Sequence, residues 1–242
     1  MKNAIKYILQ KLMGYQRYLF VFAKRKIKTL KGDKKEGDFF AFMDAVDTEG
    51  DLLDVGANIG IMSYHLSKQF ADRTVLAIEP MPSNLSVLMK IKDHFKLDNV
   101  EIVPTAVGDK DGESVEMVLP MNGKVKMQGL AHIVHDSITE WNEGEKFRIT
   151  SDTLDKICEG RTISGIKMDI ENYEIFALKG ARKLIERDQP VIYLELWENE
   201  NRDQCFSFLK EQGYSAYVNS AKGLIPFDPQ IHKKQNFVFK VG

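Results

Sequence analysis

The sequence has no uninterrupted apolar run that approaches the ~20 residues of a membrane span. It also has no clean apolar core followed by a small-residue cleavage site, so no signal peptide is expected. Cysteine is scarce. Cys158 and Cys205 show no CxxC spacing, which removes the usual redox and zinc signatures and fits reduced, semi-buried thiols of a cytoplasmic protein. No internal repeat or low-complexity linker divides the 242 residues, a length that suits one α/β domain with an extension. The net charge is only −1, so there is no global pull towards nucleic acid and none is expected as a partner.

The neutral average conceals an asymmetry. Residues 1–35 carry eleven Lys or Arg and a single acid, Asp33, so they hold about +10 and the remainder about −11. Apolar residues are mixed among these charges: Ile5, Ile8, Leu9 and Leu12, then Tyr18 to Phe22. Two readings are open. One is an amphipathic helix or two packed on the rest of the chain. The other is a helix lying on an anionic membrane surface, a peripheral contact at the inner face of the membrane.

Beyond this basic segment the chain has an α/β rhythm. A helical pattern over 39–49 (Phe39, Phe42, Met43, Val46) ends near Gly50, and an apolar strand runs over 51–55. Met62, Leu66 and Phe70 at i, i+4, i+8 predict a helix over 59–70. Strands at 74–79 and 100–103 flank a helix opened by Pro82. Alternation at Val115, Met117 and Leu119, at Val125 and Met127, and at Phe147 and Ile149 predicts a β-hairpin-like insertion over 112–150. Strands at 166–170 and 191–196 then alternate with helices over 173–186 and 201–212, the second stopped by Gly213. Strands at 214–218 and 237–241 close the chain as an antiparallel pair. Alternating strands and helices argue a mostly parallel sheet covered on both faces.

The segment Asp51-Leu52-Leu53-Asp54-Val55-Gly56-Ala57-Asn58-Ile59-Gly60 carries the most chemistry. An apolar strand meets an acid and then a turn with two glycines, which permit positive φ and close backbone approach. Nineteen residues after Gly60 the next strand ends at Glu79, where a carboxylate can accept from vicinal ribose hydroxyls. This is a nucleoside half-site at the carboxyl ends of the strands. The turn lacks the G-x-G-x-x-G spacing of a dinucleotide site. Asp54 would repel a pyrophosphate but suits a ligand carrying ammonium and sulfonium charge.

The sequence here resembles the FkbM-type class I S-adenosylmethionine-dependent methyltransferases. The resemblance rests on 54–60, on Glu79-Pro80 with Asn84, and on Ala106-Val107-Gly108-Asp109. It continues through Thr153-Leu154-Asp155, Ile166 to Glu171 with Tyr173-Glu174, Leu178 to Ala181 and Tyr193 to Leu196. It implies a Rossmann-like fold with a seven-stranded sheet and a terminal antiparallel strand, and O-methylation of a hydroxyl. It implies cofactor contacts at Asp54, Gly56, Ala57, Asn58 and Gly60, ribose contact at Glu79 with Pro80 and Asn84 beside it, and adenine near Ala106 and Val107. Two positions depart from the family. Asn172 stands where Gly usually follows the second acid, and Trp197 stands where His often follows the strand-ending Glu.

On the acceptor side, Asp169 and Glu171 share a strand end at i and i+2, and Glu195 ends the next strand. Methyl transfer needs positioning above all, and a poorly acidic alcohol benefits from a base. Asp169 and Glu171 read as base or acceptor-orienting groups, as a Mg²⁺ or Ca²⁺ site, or as structural carboxylates; all three stay open, and a divalent metal is not expected. His132 or His135 could serve as base if the insertion lies at the mouth, against the plainer reading of satisfied or surface histidines. Trp141, Phe147 and Trp197 read as a stacking wall or as ordinary core. The expectation is an amino-terminal extension over 1–49 and a methyltransferase domain over 50–242. It would act on a hydroxyl of a small molecule: a sugar, glycan precursor or secondary metabolite. An amine or carboxylate acceptor, or a non-catalytic cofactor-binding partner at a membrane, are the alternatives. The oligomeric state is not legible.

Overall fold

The structure, a computed structural model, describes residues 2–242; the side chains of residues 2–6 and 34, Ile5 among them, lie outside the described residues. Three helices precede the first strand: α1 (Lys2–Met13), α2 (Tyr15–Thr29) and α3 (Gly37–Ala45). A βαβαβ unit comes after them, made of β1 (Asp51–Val55), α4 (Ile61–Gln69), β2 (Val75–Ile78), α5 (Pro82–Phe95) and β3 (Val100–Val103). Five strands come next: β4 (Ala106–Val107), β5 (Glu113–Asn122), β6 (Val125–Lys126), β7 (His132–Ile133) and β8 (Gly144–Asp152). Then α6 (Leu154–Ile157), β9 (Ile163–Met168), α7 (Glu174–Lys179), α8 (Arg182–Asp188), β10 (Val191–Glu195) and α9 (Glu200–Glu211) restore the α/β rhythm. The last strands are β11 (Tyr214–Ser220), β12 (Gly223–Pro226) and β13 (Asn236–Val241).

The main sheet has the order β12-β11-β13-β10-β9-β1-β2-β3. Strands β3, β2, β1, β9 and β10 are parallel, and β13 runs antiparallel between β10 and β11. The sheet therefore has eight strands rather than the seven expected. The added strand, β12, is the hairpin partner of β11, turned back at Gly223 with φ +88°. Its Leu-Ile-Pro run has no alternation to announce an edge strand. The chain leaves β1 in one direction to β2 and β3, and later returns to the other side of β1 as β9. That reversal opens a crevice beyond the carboxyl ends of β1 and β9.

Successive residues of β1 serve opposite faces. Leu53 and Val55 join Leu76, Ile166, Met168, Ile192 and Leu194 in a core covered by α7, α8 and α9. Leu52 joins Val75, Ala77 and Tyr193 in a second core that includes Leu19, Ala23, Ile27, Phe39, Phe42 and Leu66. Parallel strands buried on both sides require such continuous apolar runs. The second core shows that α2 and α3 pack on the sheet and its helices, with α3 against β10 and β13 and α2 against α4 and α5. Residues on either side of the 49/50 boundary thus share one core.

The insertion is larger than the hairpin read from 112–150. Its sheet runs β4-β8-β5-β6 with β7 on β5, from Ala106 to Asp152. It encloses a third apolar cluster of Met81, Ala106, Met117, Leu119, Ile133 and Tyr173. Two helix boundaries also differ from the sequence reading. Gly60 takes φ +80°, so α4 starts at Ile61. The single helix expected over 173–186 is split into α7 and α8 near Gly180, where a Cβ would overlap the Gly108 carbonyl.

Phe42 is fully buried and its ring lies 5.8 Å from that of Tyr193. Phe42→Ala is expected to cost about 3–5 kcal/mol, read by urea denaturation of the whole chain. A loss under about 1 kcal/mol would contradict a core shared by α3 and the sheet.

Candidate functional site

The turn after β1 is held from two sides. Gly56 and Ala57 each donate a backbone N–H to the Ile78 carbonyl at 3.0 Å, which ties the turn to the end of β2. Gly56 has φ +74°, and a Cβ there would overlap the Asp169 carbonyl. Its glycine is thus required by the close approach of the β1 and β9 ends. Asn58, at φ +51°, is a residue type that tolerates the left-handed region. Its N–H donates to Glu79 Oε2 at 2.8 Å. Glu79 Oε1 accepts from the Met81 N–H at 2.8 Å and from Asn84 Nδ2 at 3.2 Å. Burial pushes the Glu79 carboxyl up to about 7, although these three donors and Lys167 pull the other way.

Above this turn lies a cavity of about 590 Å³, open to solvent. Gly56, Asn58, Glu79, Pro80 and Asn84 form its floor and one wall, and Ala106 and Val107 a second. Those seven are the sequence-derived cofactor residues that the fold brings together. Asp54, Ala57 and Gly60 do not line it; Ala57 and Gly60 shape the turn from behind. The third wall was not anticipated: Met117, Gln128, Gly129 and Ile133 come from the insertion. No local pattern marks Gln128, because its position depends on β5 pairing with β8 some thirty residues on. Asn58 Oδ1, Asn84 Oδ1 and Gln128 Oε1 are buried acceptors without a protein partner. A donor-rich nucleoside, with an exocyclic amine and ribose hydroxyls, fits such walls.

Asp54 has another role than the one read from sequence. It is 0% exposed, and its Oδ1 lies 3.1 Å from Lys167 Nζ. Ser63 Oγ donates to its Oδ2 at 2.5 Å. Lys167 also donates to the Gly56 carbonyl at 3.0 Å. The cation that Asp54 meets is thus internal to the protein. Burial would lower the Lys167 ammonium, but Asp54, Asp169 and Glu195 outweigh it and hold the pKa above its ordinary value.

Just past β9, Asp169, Glu171 and Tyr173 form the cavity's last wall. Asp169 and Glu171 do not share a pleated strand, because β9 ends at Met168 and Glu171 and Asn172 take φ of +55° and +76°. Asn172 therefore occupies a left-handed position, which explains a usual glycine there. It is fixed by Asn199, whose Nδ2 donates to its Oδ1 at 2.8 Å, and by Asn201, whose Nδ2 donates to its carbonyl at 2.9 Å. Burial raises the Asp169 carboxyl against the pull of Lys167. Burial, then Asp169 and Glu195, push Glu171 up to about 10. Asp169, then burial, push Glu195 up to about 7. Glu195 faces a broad polar cleft with Glu36, Asp38, Arg202, His232 and Lys234.

Three other expectations end elsewhere. His132 is buried in β7 with Nδ1 2.8 Å from the Leu130 carbonyl and Nε2 3.0 Å from Asn142 Oδ1. Neither nitrogen is free to take a substrate proton, and the ring does not line the cavity, so the base reading fails there. His135 Nδ1 lies 2.8 Å from Ser137 Oγ, and its ring packs on Tyr173 and Phe176. Trp141, Phe147 and Trp197 do not line the cavity and build no stacking wall there. Among the described residues no group of three or more His, Cys, Asp or Glu could hold a metal ion, so the hard-cation reading of Asp169 and Glu171 gains no support.

Asp54→Asn would take its nearest counter-charge from the buried Lys167 ammonium, and should cost roughly 3–5 kcal/mol in urea denaturation, whereas Asp54→Leu with Lys167→Met should lose less than the two single changes together. A second expectation concerns pH. Glu195 releases its proton at about 7 in the folded chain but near its ordinary, lower value when unfolded. The folded state then binds the extra proton, so this group lowers stability as pH rises through that interval. Glu195→Gln should therefore gain stability on the parent between about pH 5 and 8 in thermal melts; a gap that shrinks with pH would contradict the assignment.

The methyltransferase FkbM domain family matches residues 54–216, which takes in the turn, Glu79, Asp169 and Glu195. Methyltransferase 1 of Beauveria bassiana (strain ARSEF 2860) is 21% identical over 142 residues, covering 53% of this chain and 57% of that protein. The crystal structure of methyltransferase FkbM from Methylobacillus flagellatus KT superposes with a TM-score of 0.53 at 17% identity, covering 79% of this chain and 43% of that one. The chain thus spans about half the length of these two proteins, and the second likeness speaks for the Rossmann-like fold. With two thirds of its residues matched as one block, the chain belongs to the FkbM methyltransferase family.

Proposed function

We propose that this chain transfers a methyl group from S-adenosylmethionine to a hydroxyl of a sugar, glycan precursor or secondary metabolite. One observation carries the reading: Asp169 and Glu195 directly follow Met168 and Leu194, paired residues of β9 and β10, and line two different spaces. Asp169 lines the cavity above the β1 turn, and Glu195 lines the polar cleft. Donor and acceptor would thus meet at the ends of β9 and β10.

When bound, S-adenosylmethionine supplies a methyl carbon on a sulfonium sulfur, the electrophile of an in-line displacement. The chain's own residues supply position and a place for the proton. Glu79 and Asn84 would accept from the ribose hydroxyls. Gln128 Oε1, buried and unpartnered, would accept from the adenine amino group. Glu195, held at about 7, is matched to take an alcohol proton near neutral pH. Glu171, at about 10, keeps its proton there and would donate a hydrogen bond to the acceptor oxygen. The cleft beyond Glu195 offers acids, bases and amides together, a lining that suits a polyhydroxylated molecule.

Calorimetry should show S-adenosylhomocysteine binding and NAD not binding; the reverse would overturn the donor assignment. S-inosylhomocysteine, which lacks the amino group, should bind less tightly than S-adenosylhomocysteine by about 1–3 kcal/mol. Gln128→Leu should erase that gap, whereas a purely structural role would weaken both ligands alike. Mass spectrometry across a panel of hydroxylated acceptors should show a gain of one CH₂. Glu195→Gln should lower that turnover by about 10²–10⁴-fold while leaving S-adenosylhomocysteine binding intact. Full turnover by this variant would remove Glu195 as the base.

A further inference from the structure

We infer that the outward faces of α1 and α2 dock this protein on an anionic lipid surface. Buried Leu19, Ala23, Ile27 and Leu30 fix which side of α2 meets the protein. The opposite stripe, at i, i+4, i+8 and i+11, is Arg17, Val21, Arg25 and Lys28, all exposed. On α1, Gln10 is buried and the opposite side presents Ile8, Leu9 and Leu12 beside Lys11. Leu12 is 78% exposed and Ile8 52%. Among the described residues, eight large apolar side chains are exposed in this way, and five of them (Ile8, Leu9, Leu12, Val21 and Phe22) lie on these two helices.

Such a concentration of apolar surface marks an interaction face. Charge selects the partner. Residues 1–32 contain no acid. Among the described side chains of α1 and α2, only Lys26 meets carboxylates, those of Asp33 and Glu36. An acidic protein groove would complement the charge. However, exposed apolar side chains interspersed with uncompensated Lys and Arg on these two helices match the boundary of an anionic bilayer, where the chains enter the acyl edge and the cations stay at the headgroups. Among the described residues no helix is long and apolar enough to cross a membrane, so the contact would be peripheral.

The test uses the full chain and sedimented vesicles of phosphatidylcholine with about one quarter phosphatidylglycerol. Binding is expected to these and not to phosphatidylcholine alone, and to fall with salt. The triple variant Arg17→Glu, Arg25→Glu, Lys28→Glu should bind at least about tenfold less. Ile8→Ser with Leu12→Ser should also weaken binding while leaving the circular dichroism spectrum unchanged, because neither side chain is buried. Equal partition to both vesicle types, or parent-like binding by both variants, would overturn the inference. So would capture by heparin or RNA with none by vesicles, which would assign the face to a soluble polyanion.

Discussion

The site depends on a buried ion pair between neighbouring strands. Asp54 ends the apolar part of β1, Lys167 sits near the end of β9, and the two meet at 3.1 Å with almost no exposure. Either charge alone would be too costly to bury; each offsets the other, while Ser63 donates to Asp54 Oδ2 and Lys167 donates to the Gly56 carbonyl. The pair fixes the β1 turn against β9 at the switch point of the sheet. It also places a positive charge beneath Asp169 and Glu195, restraining the upward shift that burial and mutual repulsion impose on them.

Three surfaces converge on this framework. The turn after β1, the end of β2 and the start of α5 supply Asn58, Glu79 and Asn84; the insertion supplies Gln128 and Met117; the β9 turn supplies Asp169 and Glu171. The acids differ because their surroundings differ. Glu79 meets three donors, Glu171 is buried and repelled by the charges of Asp169 and Glu195, and Glu195 opens onto the cleft. Such separation of otherwise similar groups is how a fold assigns a base and a proton donor. Glu36, just before α3, and Asp38, on α3, line the same cleft, so this amino-terminal segment belongs to the site as well as to the core.

Much of this was legible in the sequence wherever local pattern decides the outcome. The β1 run, the glycine turn and Glu79 at the next strand end follow from periodicity and from the backbone freedom of glycine. The antiparallel insertion followed from alternation. Features that depend on contacts distant in sequence were not legible. Asp54 looked like a ligand for an external cation because its partner lies more than a hundred residues away. Gln128 carried no motif, and His132 looked reactive only because Asn142 and the Leu130 carbonyl were not known to hold it. Asn172 departed from the family pattern in identity but keeps the left-handed backbone that the pattern encodes.

The most direct test is a crystal structure of the chain with S-adenosylhomocysteine. The account predicts the adenine amino group against Gln128 Oε1, the ribose hydroxyls on Glu79, and the sulfur at the Asp169 end of the cavity. A ligand seated in the polar cleft, or with its base turned away from the insertion, would contradict it.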